Sequence, residues 1–454
     1  MSELDHLNPA QQNAVRHHTG PLLVLAGAGS GKTRVIVEKI AWLVETDRLS
    51  ANAIAAVTFT NRAAREMQQR VNERIVNPSQ RRGLTVSTFH SLGLQIVRQD
   101  CRALGLRSGF SIFDGTDTLQ LLRELKRAEG WEQEGELEEY KQQISSWKSQ
   151  LMPPEKALST AQTDDEQTAA LAYAAYEKSL QAYNAVDFDD LIFKPATLLR
   201  DNKAVGEYWQ NRFRYLLVDE YQDTNGAQYT LLRALVGSRA RFTVVGDDDQ
   251  SIYAWRGAEP ENLQHLARDY PSLEVVKLEQ NYRCSGNILQ AANTLIANNS
   301  HLFEKRLWSA DGPGLKLQVW PCNSPEQEVD KVVMDLVKQR FEHRNSHSDY
   351  AILYRSNHQS RLFEAKLREH RIPYRLTGGT AFFDRAEVKD LLAYLRFLVN
   401  PTDDAAFLRI INTPRREIGA ATLTKLGGYA QSRESNLLPC CTELGLGTVM
   451  EDRH

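Results

Sequence analysis

Residues 26–33 read Ala-Gly-Ala-Gly-Ser-Gly-Lys-Thr and follow an apolar run that begins at Pro21. This order of residue types makes a polyphosphate cradle. Gly27, Gly29 and Gly31 carry no Cβ, so backbone N–H groups can converge on an anion, with Ala28 and Ser30 between them. Lys32 adds a point charge for the β- and γ-phosphates, and Thr33 offers a hydroxyl to Mg²⁺. Ala26 stands where the Walker A pattern has its first glycine, and it is small enough to serve. A second chemical pattern is Tyr215-Leu-Leu-Val-Asp-Glu220, an apolar run ending in two acids. Asp219 is placed to hold the metal, and Glu220 to orient or deprotonate an attacking water. The third is Asp247-Asp-Asp-Gln-Ser-Ile-Tyr-Ala-Trp-Arg-Gly257. Here a polar γ-phosphate sensor, Gln250, lies within a few residues of Tyr253 and Trp255, whose rings can stack on bases, and of the phosphate binder Arg256.

These groups need elements to hold them. The apolar run before Ala26 reads as a strand, and Lys32 opens a helix. Before them, residues 7–15 read as a short amphipathic helix with Asn8 as N-cap and Pro9 in the first helical position. Residues 54–57 are a buried-strand candidate, followed by a helix with Ala63, Met67, Val71 and Ile75 on one stripe. Phe59, in the loop between the two, either meets a stacking ligand or tucks into the core. Residues 84–87, 242–246 and 274–278 are further strands. In a P-loop ATPase the strand ending at Asp219 lies beside the cradle strand. Asp219 stands 187 positions beyond Lys32, too far for neighbouring strands with ordinary connections, so an inserted domain is expected between them.

From about 92 to 200 the sequence shifts to helical patterns with few β-branched runs and an acidic middle (Glu132, Glu134, Glu136, Glu138, Glu139), which supply the insertion. At its end stands Asp187-Phe-Asp-Asp190, either a metal site or, more plainly, a helix cap followed by a solvated turn. A second α/β layer is expected from about 280, with strands at 316–320 and 350–354 and a helix over 325–340 between them. His343 and His347 lack a third ligand nearby and read as surface residues. Beyond 380 the pattern is helical, with a turn over 416–423.

The whole chain has 454 residues, 42% of them hydrophobic and 25% charged, which suits a soluble globular protein of two or more domains. It has no apolar run of membrane-spanning length, and the N-terminus has neither the basic nor the apolar region of a signal peptide. Five cysteines without a CxxC pair exclude a disulfide scaffold and a zinc cluster. A net charge of −3 means that any nucleic-acid partner is held by local patches. The run Arg62, Arg65, Arg70, Arg74, Arg81 and Arg82 is one candidate, and its plainer reading is a solvated helix face.

Taken together, LNPAQQNAV, AGAGSGKT, AVTFTNRAAREM, TVSTFHSLG, DFDDLI, LLVDEYQDT, VVGDDDQSIYAWRGA, LEQNYRCSGNIL and YAILYRSNHQS closely resemble the UvrD/Rep/PcrA-like helicases of superfamily 1A, nearest the Rep branch. The resemblance runs from about residue 6 to 430. It implies an α/β fold of two RecA-like P-loop domains with parallel sheets, each interrupted by a helical insertion. Domain 1A would occupy 1–88 and 200–279 around insertion 1B at 89–199. A partial domain 2A would follow at 280–377, and a partial insertion 2B at 378–454. ATP would sit between the RecA-like domains.

The same resemblance implies roles. Gln11 would read the adenine edge and Tyr282 stack on the base, while residues 26–33 wrap the phosphates. Lys32, Glu220, Gln250 and Arg283 would carry catalysis, Arg283 as an arginine finger from the second domain, and Thr33 and Asp219 would hold Mg²⁺. Phe59, Phe188, Tyr253 and Trp255 resemble the family's stacking residues for single-stranded DNA, with Arg256, Arg355 and Asn357 as companions. Residues 416–422 resemble its duplex-contacting turn, where Glu417-Ile-Gly419 replaces Gly-Ile-Gly and sets an acid against phosphate. The implied activity is that of an ATP-hydrolysing DNA helicase or translocase, 3′–5′ on single-stranded DNA, in replication restart or repair. Its implied partners are single-stranded DNA, single-strand/duplex junctions, and replication or repair proteins, with a homodimer left open. The implied setting is the cytoplasm and nucleoid, away from membranes. The family's later motifs V and VI have no match before His454, so a carboxyl-terminally truncated chain with weak or no turnover is expected. A helicase-nuclease subunit and a nucleotide-gated DNA-binding module are the rival readings.

Overall fold

The structure, a computed structural model, describes residues 4–129, 137–377, 382–433, 435–448 and 450. Glu132, Glu134 and Glu136 therefore lie outside the described residues. The chain divides into two units, residues 1–315 with 393–454, and residues 316–392.

The larger unit is built on strands β1 (Pro21–Ala26), β2 (Ile54–Thr58), β3 (Thr85–Thr88), β4 (Ser111–Phe113), β5 (Ala185–Asp187), β6 (Tyr215–Val218), β7 (Phe242–Gly246), β8 (Glu274–Leu278), β9 (Gln280–Asn281) and β10 (Trp308–Ser309). Six form one sheet in the order β3-β2-β6-β7-β1-β8, every pairing parallel. Full burial of the mostly apolar strands β1, β2, β6 and β7 suits a parallel sheet covered on both faces. Leu22 and Val24 join one core with Val15, Ile36, Ile40 and Val71, from helices Pro9–Arg16, Lys32–Glu45 and Asn61–Arg74. Leu23 and Leu25 face the other, with Phe89, Ile96, Ile192, Trp209 and Leu231.

Two features differ from expectation. Strand β7 stands between β1 and β6, so the Asp219 strand is one place removed from the cradle strand. Parallel strands end at a common edge, and Asp219 reaches the cradle without adjacency. Helices Phe89–Gln99 and Asp190–Asp201, within the expected insertion, lie on the sheet and share its core through Leu92, Ile96, Ile192 and Leu199.

The remainder of the insertion has its own core, in which Leu122, Tyr140, Ile144, Trp147, Tyr173 and Tyr176 are buried. Phe407, Leu423, Leu426 and Cys440 are enclosed in that same core, although they lie more than two hundred positions further along the chain. Helix Ala420–Ser432 comes so close that a Cβ on Gly427 would collide with the carbonyl oxygen of Ala182.

In the smaller unit, helices Pro325–His343 and Ser360–Glu369 pack through Val329, Val333, Phe363 and Leu367. The strands expected at 316–320 and 350–354 do not form, and Val319 and Leu353 are 90% and 92% exposed. A parallel strand needs a hydrogen-bonded neighbour, and the described residues of this unit form no ladder. Apolar spelling alone does not make a sheet. Among the described residues, no helix is long and apolar enough to cross a membrane. All five cysteines are free.

Candidate functional site

At the carboxyl end of β1 the backbone turns through Gly29 (φ 73°) and Gly31 (φ 92°), conformations that glycine adopts without strain. Gly31 then caps the helix Lys32–Glu45, whose N-terminal N–H groups are the anion-binding end. Ser30 is buried and donates from Oγ to the Gly27 carbonyl at 2.7 Å. Gln11 ties the first helix to this loop. Its Nε2 donates to the Ser30 carbonyl at 3.0 Å, and its Oε1 accepts the Asn8 N–H at 3.2 Å in a capping box. One amide hydrogen and one lone pair remain, the pair that an adenine edge requires.

Residues 280–284 lie against the same loop. Asn281 donates from Nδ2 to the Ala28 carbonyl at 2.6 Å, and the Tyr282 N–H donates to the Gly29 carbonyl at 2.9 Å. The Tyr282 hydroxyl accepts from Asn8 Nδ2 at 2.8 Å and donates to Gln280 Oε1 at 2.9 Å, which fixes a half-exposed ring. Arg283 is exposed next to it.

Lys32 Nζ donates to Glu220 Oε2 at 2.8 Å and to Gln250 Oε1 at 3.2 Å. Glu220 Oε2 also accepts from Gln222 Nε2 at 2.9 Å, and Gln222 Oε1 accepts the Asp247 N–H at 3.0 Å. Gln250 closes the ring by donating to the Asp247 carboxylate. Thr33 Oγ1 donates to Asp219 Oδ2 at 3.4 Å. Burial, and then the Glu220 carboxylate, push Asp219 up to about 6, against the pull of Lys32. Burial also works to raise Glu220, but the Lys32 ammonium outweighs it, with Gln222 and the charge of Arg283 helping, and Glu220 is held below its ordinary value. Glu220 sits in the left-handed region at φ 52°, a strained position for a residue with a Cβ. Two adjacent carboxylates are thus driven apart, one held ionised against Lys32 and the other short of positive charge. Asp219 and the Thr33 hydroxyl form an oxygen-donor pair that fits a hard divalent cation.

On the other side of the 247–257 loop is a cavity of about 920 Å³, which Phe59, Phe188, Tyr253 and Trp255 all line. Trp255 is 71% exposed and Phe188 51%, while Phe59 is partly buried with its ring 6.1 Å from that of Phe89. Phe59 thus packs on the core and also lines the cavity. Four rings from three separate segments meet in one hollow, an arrangement able to take successive bases by their faces.

Residues 7–271 match the UvrD/REP helicase N-terminal domain. The chain belongs to the UvrD/Rep helicase family. Residues 276–438 match the UvrD-like helicase C-terminal domain. The chain is 54% identical over 447 residues to the ATP-dependent DNA helicase Rep of Escherichia coli (strain K12), covering 98% of this chain and 66% of that protein. Identity to the ATP-dependent DNA helicase PcrA of Staphylococcus epidermidis (strain ATCC 12228 / FDA PCI 1200) is 40% over 440 residues, covering 97% of this chain and 60% of that protein. The chain thus spans 66% and 60% of the lengths of these two relatives, less than two thirds of each. The parallel six-stranded sheet and the two UvrD-like domains fit the expected pair of RecA-like domains.

The Arg256 side chain lies outside the described residues. Arg355 and Asn357 belong to the smaller unit, where the Arg355 N–H donates to Gln359 Oε1 at 3.0 Å. In the arginine run, Arg74 pairs with Glu38 at 2.9 Å and Glu45 at 2.8 Å, and Arg81 donates to the carbonyls of Asn72 and Ile75. The fold itself uses these charges. Arg416 donates to the Ile410 and Ile411 carbonyls at 2.7 and 2.9 Å, while Glu417 is exposed at φ 61°.

The solvated turn expected around Phe188 is instead a buried ionic knot. Lys148 Nζ, with no exposed side chain, meets Asp187 at 2.7 Å, Asp190 at 3.0 Å and Glu177 at 2.6 Å. The cap survives, since Asp187 Oδ1 accepts the Asp190 N–H at 2.8 Å. Acids set among Ala, Val, Leu and Ile signal burial and so demand a cation. Lys148, in an ordinary helical stretch 39 positions upstream of Asp187, carries no mark that it is that cation.

Proposed function

We propose that this chain is the nucleotide-binding and strand-gripping part of an ATP-dependent DNA helicase or translocase. One observation carries the reading. The loop 247–257 places Gln250 on Lys32 at the cradle and, three and five residues later, Tyr253 and Trp255 in the aromatic hollow.

ATP with Mg²⁺ would supply the electrophilic γ-phosphorus and the phosphoanhydride bond to be cleaved. Thr33 and Asp219 would hold the cation. Lys32 exchanges Glu220 for phosphate oxygens, which frees Glu220 Oε2 to take the proton of a water. Gln250 senses the γ-phosphate, and Arg283 neutralises charge that builds up on it. Gln11 and Tyr282 hold the base. Through Gln250 the loop responds to the nucleotide and shifts Tyr253 and Trp255, so that stacked bases of single-stranded DNA pass in steps. Movement in the 3′–5′ direction, action at single-strand/duplex junctions in replication restart or repair, and a cytoplasmic, nucleoid-associated setting belong to the same proposal. They rest on the resemblance to Rep.

The test is DNA-stimulated ATP hydrolysis by the chain and its Lys32→Ala variant. Hydrolysis that stops on substitution supports the reading, and hydrolysis that survives it sinks it. DNA affinity that depends on ATP without turnover would instead mark a nucleotide-gated DNA-binding module.

A further inference from the structure

Three consecutive acids, Asp247, Asp248 and Asp249, precede Gln250, and the segment 301–305 is clipped onto all of them. Lys305 Nζ lies 2.6 Å from Asp247 Oδ1 and 3.0 Å from Asp249 Oδ2, and it also contacts Asp248. The Leu302 and Phe303 N–H groups both donate to Asp248 Oδ2, at 2.9 and 3.3 Å, and His301 Nδ1 is 2.9 Å from Asp249 Oδ1. The Lys305 side chain is only 5% exposed. Burial works to lower its pKa, yet hydrogen bonds to the three carboxylates hold it above the ordinary lysine value.

Asp247 has a second occupation. Its other carboxylate oxygen accepts from Gln250 Nε2, and Gln250 Oε1 accepts from Lys32 Nζ. A line of direct contacts therefore runs from Lys305 through Asp247 and Gln250 to the cradle lysine. Three adjacent carboxylates, one of them 2% exposed, would repel one another without a cation among them. Asp247 would then turn toward water or take a proton, and Gln250 would lose the acceptor that aims it.

We propose that Lys305 is a positioning residue for the γ-phosphate sensor. Its ammonium holds Asp247 so that the Gln250 carboxamide faces the cradle, and it fastens segment 301–305 to the sensor loop. The proposal rests on the reading of residues 26–33 as an ATP cradle. It predicts a defect confined to the γ-phosphate, because nothing in the line touches the base-holding residues Gln11 and Tyr282.

The experiment uses the full chain with Lys305→Met and Lys305→Arg, and Lys305→Gln should the methionine variant fail to fold. Fluorescence titration gives the Kd of ADP and of a non-hydrolysable ATP analogue, and steady-state assays give kcat and KM with single-stranded DNA. With the uncharged variants, ADP affinity should stay unchanged while affinity for the analogue falls about tenfold, a typical coupling between linked sites. The kcat should fall about 10²-fold, as expected of a displaced catalytic group, and KM for ATP should rise in step with the analogue's Kd. Lys305→Arg should restore both. Equal losses for the two nucleotides would reduce Lys305 to a structural fastener, and unchanged values would remove its role, either result overturning the proposal. A wild-type chain that binds neither nucleotide would overturn the ATP-cradle reading first, and the positioning role with it.

Discussion

Asp219 and Glu220 are neighbours in sequence with opposite fates, and the difference lies in burial and in the reach of Lys32. Lys32 is bonded to Glu220 at 2.8 Å, while Asp219 has a hydroxyl at 3.4 Å and little water. The Asp219 pKa of about 6 lies above the unfolded value of roughly 3.9, so the folded chain binds that proton more tightly. The stability this confers is complete below about pH 4 and is lost as pH rises through about 6. An Asp219→Asn variant has no such proton to lose. In Mg²⁺-free buffer, its stability relative to wild type should rise by about 1–3 kcal/mol between pH 4 and pH 6.5 and then level off. Urea melts across that range check this, and a flat difference would contradict it. Added Mg²⁺ should shrink the gap at pH 7, because a cation supplies the charge that Asp219 lacks.

Among the elements, the strands that carry the cradle were legible because their apolar runs end at residues with unmistakable chemistry. The order of the strands was not, since nothing in Phe242–Gly246 says that it slips between Pro21–Ala26 and Tyr215–Val218. The runs at 316–320 and 350–354 have the same apolar spelling and remain unpaired, because a ladder depends on a partner elsewhere in the chain. Lys148 and Lys305 carry no distinguishing mark in the sequence for a related reason. Each is one lysine among many until acids far away in sequence surround it. The helices Phe89–Gln99 and Asp190–Asp201 supply a test at this scale. A Cβ on Gly93 would collide with the backbone carbonyl oxygen of Leu191, three residues beyond Phe188. Gly93→Ala should force these helices apart, cost about 1–3 kcal/mol in denaturant melts, and weaken single-stranded DNA binding by displacing Phe188. Unaltered DNA affinity in a destabilised variant would separate the helix contact from the grip.

For the molecule as a whole, a net charge of −3 and an aromatic hollow suggest a grip that relies on stacking as well as on phosphate contacts. On the proposed reading the same loop would face nucleotide and DNA, so occupancy of one site should alter affinity at the other, by a factor of about 5 to 150 in either direction. Gln250→Ala should abolish that exchange while both ligands still bind, as titration of labelled single strands with and without an ATP analogue would reveal. Coupling that persists would move the link to another part of the chain. The core shared by the helical insertion and residues 404–450 affects how the protein is made. Its early half leaves the ribosome more than two hundred residues before its late half. At roughly 5–20 residues per second, Leu122, Ile144 and Trp147 wait about 13 to 64 s for Phe407, Leu423 and Cys440. During that interval the nascent chain presents an unfinished greasy surface, and its yield in the cell should depend on whatever chaperone shields it.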